Sequence, residues 1–182
     1  MAHPRWLDEE QQRTWRAYLA ATRLVFERVE RQMQSDSGMP QAYYEILVRL
    51  SEAPEHTLRM SLLATSSLSS RSRVSHAVAR MEESGWIRRR SCPTDRRGQL
   101  AELTDEGMRV LREAAPGHAT TVQEVLFDGL SPGQQAALLD VGEALVAHLS
   151  TGRTWPADDD SGSCPDDDAP GAEGCPDDSA TG

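Results

Sequence analysis

No lysine occurs in these 182 residues, and all 19 basic side chains are arginine. A GC-rich coding sequence produces that bias; selection for bidentate contacts would enrich arginine only where contacts are made. Cysteine is scarce as well. Cys92, Cys164 and Cys175 are an odd set with two members near the end of the chain, which argues against a disulfide framework. No apolar run approaches the ~20 residues that a membrane-spanning helix needs, and Met1 to Glu10 is polar and acidic, unlike a signal peptide. A soluble, cytoplasmic protein with no membrane partner is expected. Recognisable catalytic chemistry is missing too. His3, His56, His76, His118 and His148 are scattered, and there is no glycine-rich phosphate loop or nucleophile motif. Cys164 and Cys175, with ten residues between them, match zinc spacing poorly. We therefore expect no catalytic residue, no metal, no cofactor and no enzyme.

What is present is charge, unevenly placed. The formal net charge is -10. From Thr151 onward nine acids face Arg153 alone, a balance of -8, so residues 1–150 sum to only -2. Between Arg71 and Arg97 the sign reverses. Eight arginines (71, 73, 80, 88, 89, 90, 96 and 97) face Glu82, Glu83 and Asp95, a local balance of +5. A field of that sign suits a polyanion, and DNA is the first candidate.

The length suits one domain with an appendage. Trp15, Tyr18, Leu19, Thr22, Val25, Phe26, Val29 and Met33 recur at helical spacing within 6–34, and Asp8 with Gln11 forms a capping-box pattern. So long a stripe exceeds what one small domain can bury, and a second subunit is a plausible cover. Met39 and Pro40 open a second helix with Tyr43, Tyr44, Ile46, Leu47 and Leu50 inward. Thr57 is expected to cap a third, 58–65, and Ser69 or Ser70 a fourth that ends at Gly85. Two short helices across a tight turn make a helix-turn-helix candidate, with Val74, Ala77, Val78 and Met81 inward on the second. Trp86–Ser91 and Gln99–Leu103 flank Pro, Asp and Gly punctuation and form a hairpin with a basic tip. Thr104 caps a fifth helix, which Pro116-Gly117 should kink or break, and Ser131-Pro132 start a sixth. Segment 151–182, rich in Pro, Gly, Ser and Asp with CPDD twice, lacks the apolar area to repay ordering, so disorder is expected.

Taken in order, Gly85-Trp86-Ile87, Asp95-Arg96-Arg97-Gly98 and Leu103-Thr104 with Gly107 resemble the MarR family of bacterial winged-helix transcription regulators, over about residues 8–149. The resemblance implies a mostly α fold with a small β-hairpin wing: a winged helix-turn-helix with flanking dimerisation helices. It divides the chain into an N-terminal dimerisation helix (1–38), the winged DNA-binding domain (39–104), C-terminal dimerisation helices (105–150) and the acidic tail (151–182). It also implies a homodimer on double-stranded DNA with a pseudo-palindromic operator, repression being the family's commoner outcome.

A groove reader needs a narrow element with polar side chains that reach base edges, and the fourth helix fits. Ser69 and Ser70 can bond phosphate at its N-terminus, where backbone N–H groups are free. Arg71, Ser72, Arg73 and His76 form the base-facing set, with phosphate or solvent contact as the plainer reading of each. A good arginine–guanine pair is worth roughly 1–3 kcal/mol of discrimination. Arg88, Arg89 and Arg90 alternate along a strand, so not all three can face DNA; Arg88 and Arg90 share a side. By resemblance Arg97 enters the minor groove, Arg96 contacts phosphate, and Asp95 braces an arginine. Also by resemblance, a small aromatic or anionic ligand would lie among Trp15, Arg16, Tyr18, Tyr43, Tyr44 and His56, although core packing is the favoured reading of the aromatics. Two alternatives remain. One is a helical protein-interaction module using the basic hairpin and acidic tail. The other is a thiol-responsive regulator using Cys92, disfavoured because the family's thiol-sensing branch has its cysteine near the first helix.

Overall fold

The computed structural model describes residues 4–67, 69–92 and 98–150. Helix α1 (Glu9–Ser37) begins at the expected capping box: Asp8 Oδ1 accepts from Gln11 N at 2.8 Å, and Gln11 Oε1 accepts from Asp8 N at 3.1 Å. It ends where Gly38 turns left-handed at φ 64°. Pro40, expected inside the next helix, instead precedes it as the extended residue before α2 (Gln41–Glu52). Tyr44, Ile46, Leu47 and Leu50 of α2 are buried.

Residues 57–59 depart from expectation. Thr57 does not cap a helix; Thr57–Arg59 is a strand, β1, and α3 (Met60–Ser66) follows it. The reason is non-local. β1 pairs antiparallel with β3 (Gln99–Leu103), Leu58 opposite Ala101, and β3 pairs on its other side with β2 (Ile87–Ser91). The wing is thus a hairpin widened to three strands in the order β1-β3-β2. Ahead of β1, Glu55 and His56 both hold positive φ, 50° and 54°, an unfavourable conformation for residues with a Cβ.

Helix α4 (Arg71–Glu83) is capped by Ser70, whose side chain accepts from Arg73 N, and the chain leaves it through Gly85 at φ 76°. Val74, Val78 and Met81 point into a core completed by Leu47, Leu50, Leu63, Ile87, Ala101 and Leu103. Helix α5 (Asp105–Val122) is capped by Thr104 and runs through Pro116 without a break. Pro116 is exposed, so water can serve the carbonyl that loses its partner. The departure from α-geometry comes later, in a π turn at Gln123–Phe127. Ser131 and Gln134 form a second capping box for α6 (Pro132–Leu149).

α1 packs along α5, and its buried residues are Val29 and Met33, near its C-terminal end. Trp15, Tyr18, Leu24 and Phe26 are left exposed, Trp15 by 51%. On α6 no residue is buried, and Leu139 is 62% exposed. The helix is tied to the preceding turn by Gln135 Nε2, which donates to Phe127 O and Leu130 O. Among the described residues no helix is long and apolar enough to cross a membrane.

Candidate nucleic-acid interface

The first turn of α4 runs against the usual placement of charge. A helix N-terminus carries partial positive charge and favours acids. α1 begins with Glu9 and Glu10 and α5 with Asp105 and Glu106, whereas α4 begins with Arg71 and Arg73 and has no acid in its first turn. Arg71, Ser72, Arg73 and His76 are all exposed, and neither Arg71 nor Arg73 makes an ion pair among the described residues. Ser70 spends its side-chain oxygen on the cap, at 3.3 Å from Arg73 N. Ser69 is half-buried, its N–H donating to Ala64 O.

The three wing arginines divide by strand parity. Arg88 and Arg90 lie on one side of β2 and flank Glu102 of β3, at 3.9 Å and 3.1 Å. The Arg90 Nε–Glu102 Oε2 approach is an ion pair whose geometry falls outside a hydrogen bond. Arg89 turns the other way. It grips Glu82 of α4 with Nε–Oε2 at 2.6 Å and backbone N–Oε1 at 3.0 Å. Those bonds hold the Glu82 carboxyl below its ordinary pKa. Glu82 and Arg89 therefore fix the angle between helix and wing. Glu102 tempers the charge of two arginines assigned to DNA. Sequence reasoning counted Glu82 only as charge and passed over Glu102; alternation along β2 set Arg89 apart from Arg88 and Arg90 without saying what it faces. Asp95, Arg96 and Arg97 lie outside the described residues.

Thr104 joins wing to α5. Its hydroxyl lies 2.7 Å from Gly85 O and 3.0 Å from Trp86 O while accepting from Gly107 N at 3.0 Å. Gly107 is required by space. A Cβ there would overlap the Trp86 carbonyl oxygen and lie 2.7 Å from Leu103 Cδ1.

The base of the wing loop is closed by Cys92 N donating to Gly98 O at 2.9 Å. Cys92 is 3% exposed, accepts at Sγ from Arg59 Nη2 at 3.5 Å, and is disulfide-bonded.

The six residues assigned to a ligand are distributed over three settings. Trp15 and Tyr18 stack on each other along exposed α1, centroids 6.1 Å apart, and Arg16 bonds Gln12 there. Tyr44 packs on the His118 ring of α5 at 4.3 Å, with Tyr43 half-buried beside it in sequence. Burial, with the charge of Glu52 second, raises the Tyr44 pKa, and burial lowers that of His118, whose Nδ1 has no partner. His56 instead lines an open groove of about 450 Å³ with Leu103, Thr104, Met108, Arg109 and Arg112. Arg109 is clamped by Glu106 and Glu113, which raise its pKa.

The MarR family model matches residues 37–98, the stretch from the end of α1 to the wing loop. Two of the crystal structures that share the fold are the following. Sco3205, a MarR family transcriptional regulator from Streptomyces coelicolor solved in complex with DNA, is 49% identical, with a TM-score of 0.78 over 80% of this chain and 92% of that one. AbsC, another from the same organism, is 38% identical, with a TM-score of 0.76 over 80% of this chain and 98% of that one. The transcriptional repressor MprA of Escherichia coli is 27% identical over 117 residues, 64% of this chain and 66% of its own length. With helix-turn-helix, wing and closing Thr104–Gly107 motif in place, and an extensive match to Sco3205, this chain belongs to the MarR family of transcriptional regulators.

Proposed function

We propose that the protein is a cytoplasmic homodimer that binds a pseudo-palindromic operator in double-stranded DNA and represses transcription until a small ligand releases it. The reading is carried by the inverted charge of α4: two exposed arginines at a helix N-terminus repel the dipole unless an anion sits between them, and a phosphate backbone supplies one. Ser69, Ser70, Ser72 and His76 add hydrogen-bonding groups on or beside that helix. Arg88, Arg90, Asp95, Arg96 and Arg97 make up the wing contact, with Arg97 entering the minor groove.

A second copy is supported by the uncovered apolar faces of α1 and α6. It supplies the second recognition helix that half-sites about 34 Å apart demand. Domain roles follow: 1–38 and 105–150 pair the subunits, and 39–104 reads DNA. Release by a small aromatic or anionic ligand is supported by two features: aromatic Tyr44 and His118 where α2 meets α5, and the His56 groove, whose volume suits a small molecule. Such a ligand would select a dimer with the wrong half-site spacing.

A gel-shift titration against the DNA upstream of the protein's own gene tests the reading. We expect a specific complex at low salt, and the paired change Arg71→Ala, Arg73→Ala should weaken it by about tenfold or more. An intact dimer that forms no specific complex would refute it.

A further inference from the structure

Among the residues of the three wing strands Glu102 is the only acid, and in the chain it lies outside the basic stretch 71–97. Strand pairing brings it back to that stretch. In register it stands directly opposite Arg88 of β2, and Arg90 follows on the same side of that strand. We propose that Glu102 is an internal counter-ion that shares Arg88 and Arg90 with the DNA backbone, and that it sets how tightly and how salt-dependently the wing holds phosphate. This role rests on the DNA-binding reading above.

The geometry of the two contacts is the first support. A pair committed to holding the fold is seen in Arg89 and Glu82, joined by hydrogen bonds at 2.6 Å and 3.0 Å. Around Glu102 neither arginine makes such a grip. Arg90 Nε comes within 3.1 Å of Oε2, yet that oxygen is buried and accepts no hydrogen bond. Arg88 Nη1 stands 3.9 Å from Oε1, beyond hydrogen-bond length. The acid attracts both arginines and locks neither, so their guanidinium forks can turn to a phosphate.

Depth is the second. The Glu102 side chain is 24% exposed, against 64% for Arg88 and 54% for Arg90. The acid lies low against the sheet, and the guanidinium groups reach past it toward solvent. A phosphate arriving from outside meets the cations first, with the carboxylate beneath them.

Charge placement is the third. Arg71 and Arg73 of α4 have no ion-pair partner among the described residues, so the helix offers both cations at full strength. Arg88 and Arg90 together carry +2 against the single negative charge of Glu102, a remainder of +1. A duplex therefore meets two classes of arginine, a free pair on the helix and a tempered pair on the strand. Removing the acid turns the second class into the first, and more counter-ions leave the DNA on binding.

A purely structural pair predicts the opposite. If Glu102 only holds the hairpin together, its loss loosens β2 and weakens DNA binding along with stability. As a shared counter-ion, Glu102 acts as a positioning residue whose loss strengthens binding while the hairpin gains nothing.

The test titrates the full chain and its variants into a mixed-sequence duplex of about 40 base pairs, between about 50 and 200 mM salt. Glu102→Gln keeps the shape of the side chain and removes its charge. It should bind about fivefold tighter at the low end. Its slope of log affinity against log salt should be steeper by about one per subunit. Glu102→Asp keeps the charge and should bind like the parent. In a chain already carrying Arg88→Gln and Arg90→Gln, adding Glu102→Gln should change affinity by less than about twofold. Melting temperatures read alongside separate loss of fold from loss of contact. If Glu102→Gln melts early, Glu102→Thr, neutral and β-branched, replaces it and the same outcomes decide. A neutral variant that melts like the parent but binds equally or more weakly would overturn the proposal. So would a gain that persists without Arg88 and Arg90, because the acid would then act by repelling DNA directly. A parent chain that binds no duplex at low salt overturns the DNA-binding reading and the counter-ion role together. A parent that binds while the neutral variant changes nothing overturns the counter-ion role alone.

Discussion

Helices α2 and α6 are both apolar on paper, yet α2 hides Tyr44, Ile46, Leu47 and Leu50 inside its own chain and α6 hides nothing. The winged lobe satisfies its apolar surface with neighbours close in the chain: α3, α4 and the sheet. The terminal helices do so only where the end of α1 meets α5. Amphipathic pattern says that a face needs cover; it does not say whether the cover belongs to the same chain. The difference also separates two kinds of stability. The lobe is stabilised by contacts within one chain, whereas in the proposed dimer the outer helices are stabilised by association, which depends on concentration.

The largest expected effect tests the outer half of this contrast. Replacing Leu139 and Leu145 by Glu should weaken the proposed dimer by a hundredfold or more, since burying each leucine is worth about 1.5–3 kcal/mol. Sedimentation velocity would show monomers; an unchanged dimer would mean that α6 is covered by something else. Next is the inner half. Leu47 is fully buried, so Leu47→Ala should cost about 3 kcal/mol in denaturant unfolding. A loss below ~1 kcal/mol would show a lobe that relaxes around cavities. The joint between the halves comes third. Gly107→Ala forces the first turn of α5 off the Trp86 carbonyl and should cost about 2 kcal/mol.

The smallest effect is a pH dependence at the α2–α5 contact. His118 has a folded pKa below its ordinary 6.5, so the unfolded chain binds the proton more readily. Its contribution is complete above 6.5 and is lost as pH falls through that value toward the folded pKa. The melting temperature should therefore drop between about pH 7 and 5.5, and the drop should shrink in His118→Gln. Glu82 acts in the same direction in a lower window, its stabilisation fading as pH falls below 4.5. An identical profile in the variant would show that the ring contributes nothing.

Much of this was legible in the residues because it is local. Asp8 with Gln11, Ser70, Thr104 and Ser131 each cap a helix at the position their spacing indicates, since a cap needs only three or four residues of context. The hairpin limits followed from turn chemistry for the same reason. β1 was not legible: three residues show no period, and the strand exists because β3, forty residues on, offers its edge. Pro116 misled in the opposite direction. A local rule predicted a kink or a break, and α5, packed on α1 and α2, continues through it without a break. In the candidate site, the exposed cations of α4 were readable from helical periodicity. The pairing of Arg89 with Glu82 and the position of Glu102 between Arg88 and Arg90 were not, because strand parity says which residues share a side and not what faces them.

By itself, then, the sequence determined where helices begin, where charge gathers, and which residues compose the basic stretch from Arg71 to Arg97. Capping, periodicity and composition act over a few residues and need no fold to be read. Tertiary structure alone decided that the wing has a third strand, that one of three consecutive arginines serves as a brace, and that α6 finds no cover among the described residues. Those outcomes depend on which distant surfaces meet, and the energy of such a meeting is written in no single segment.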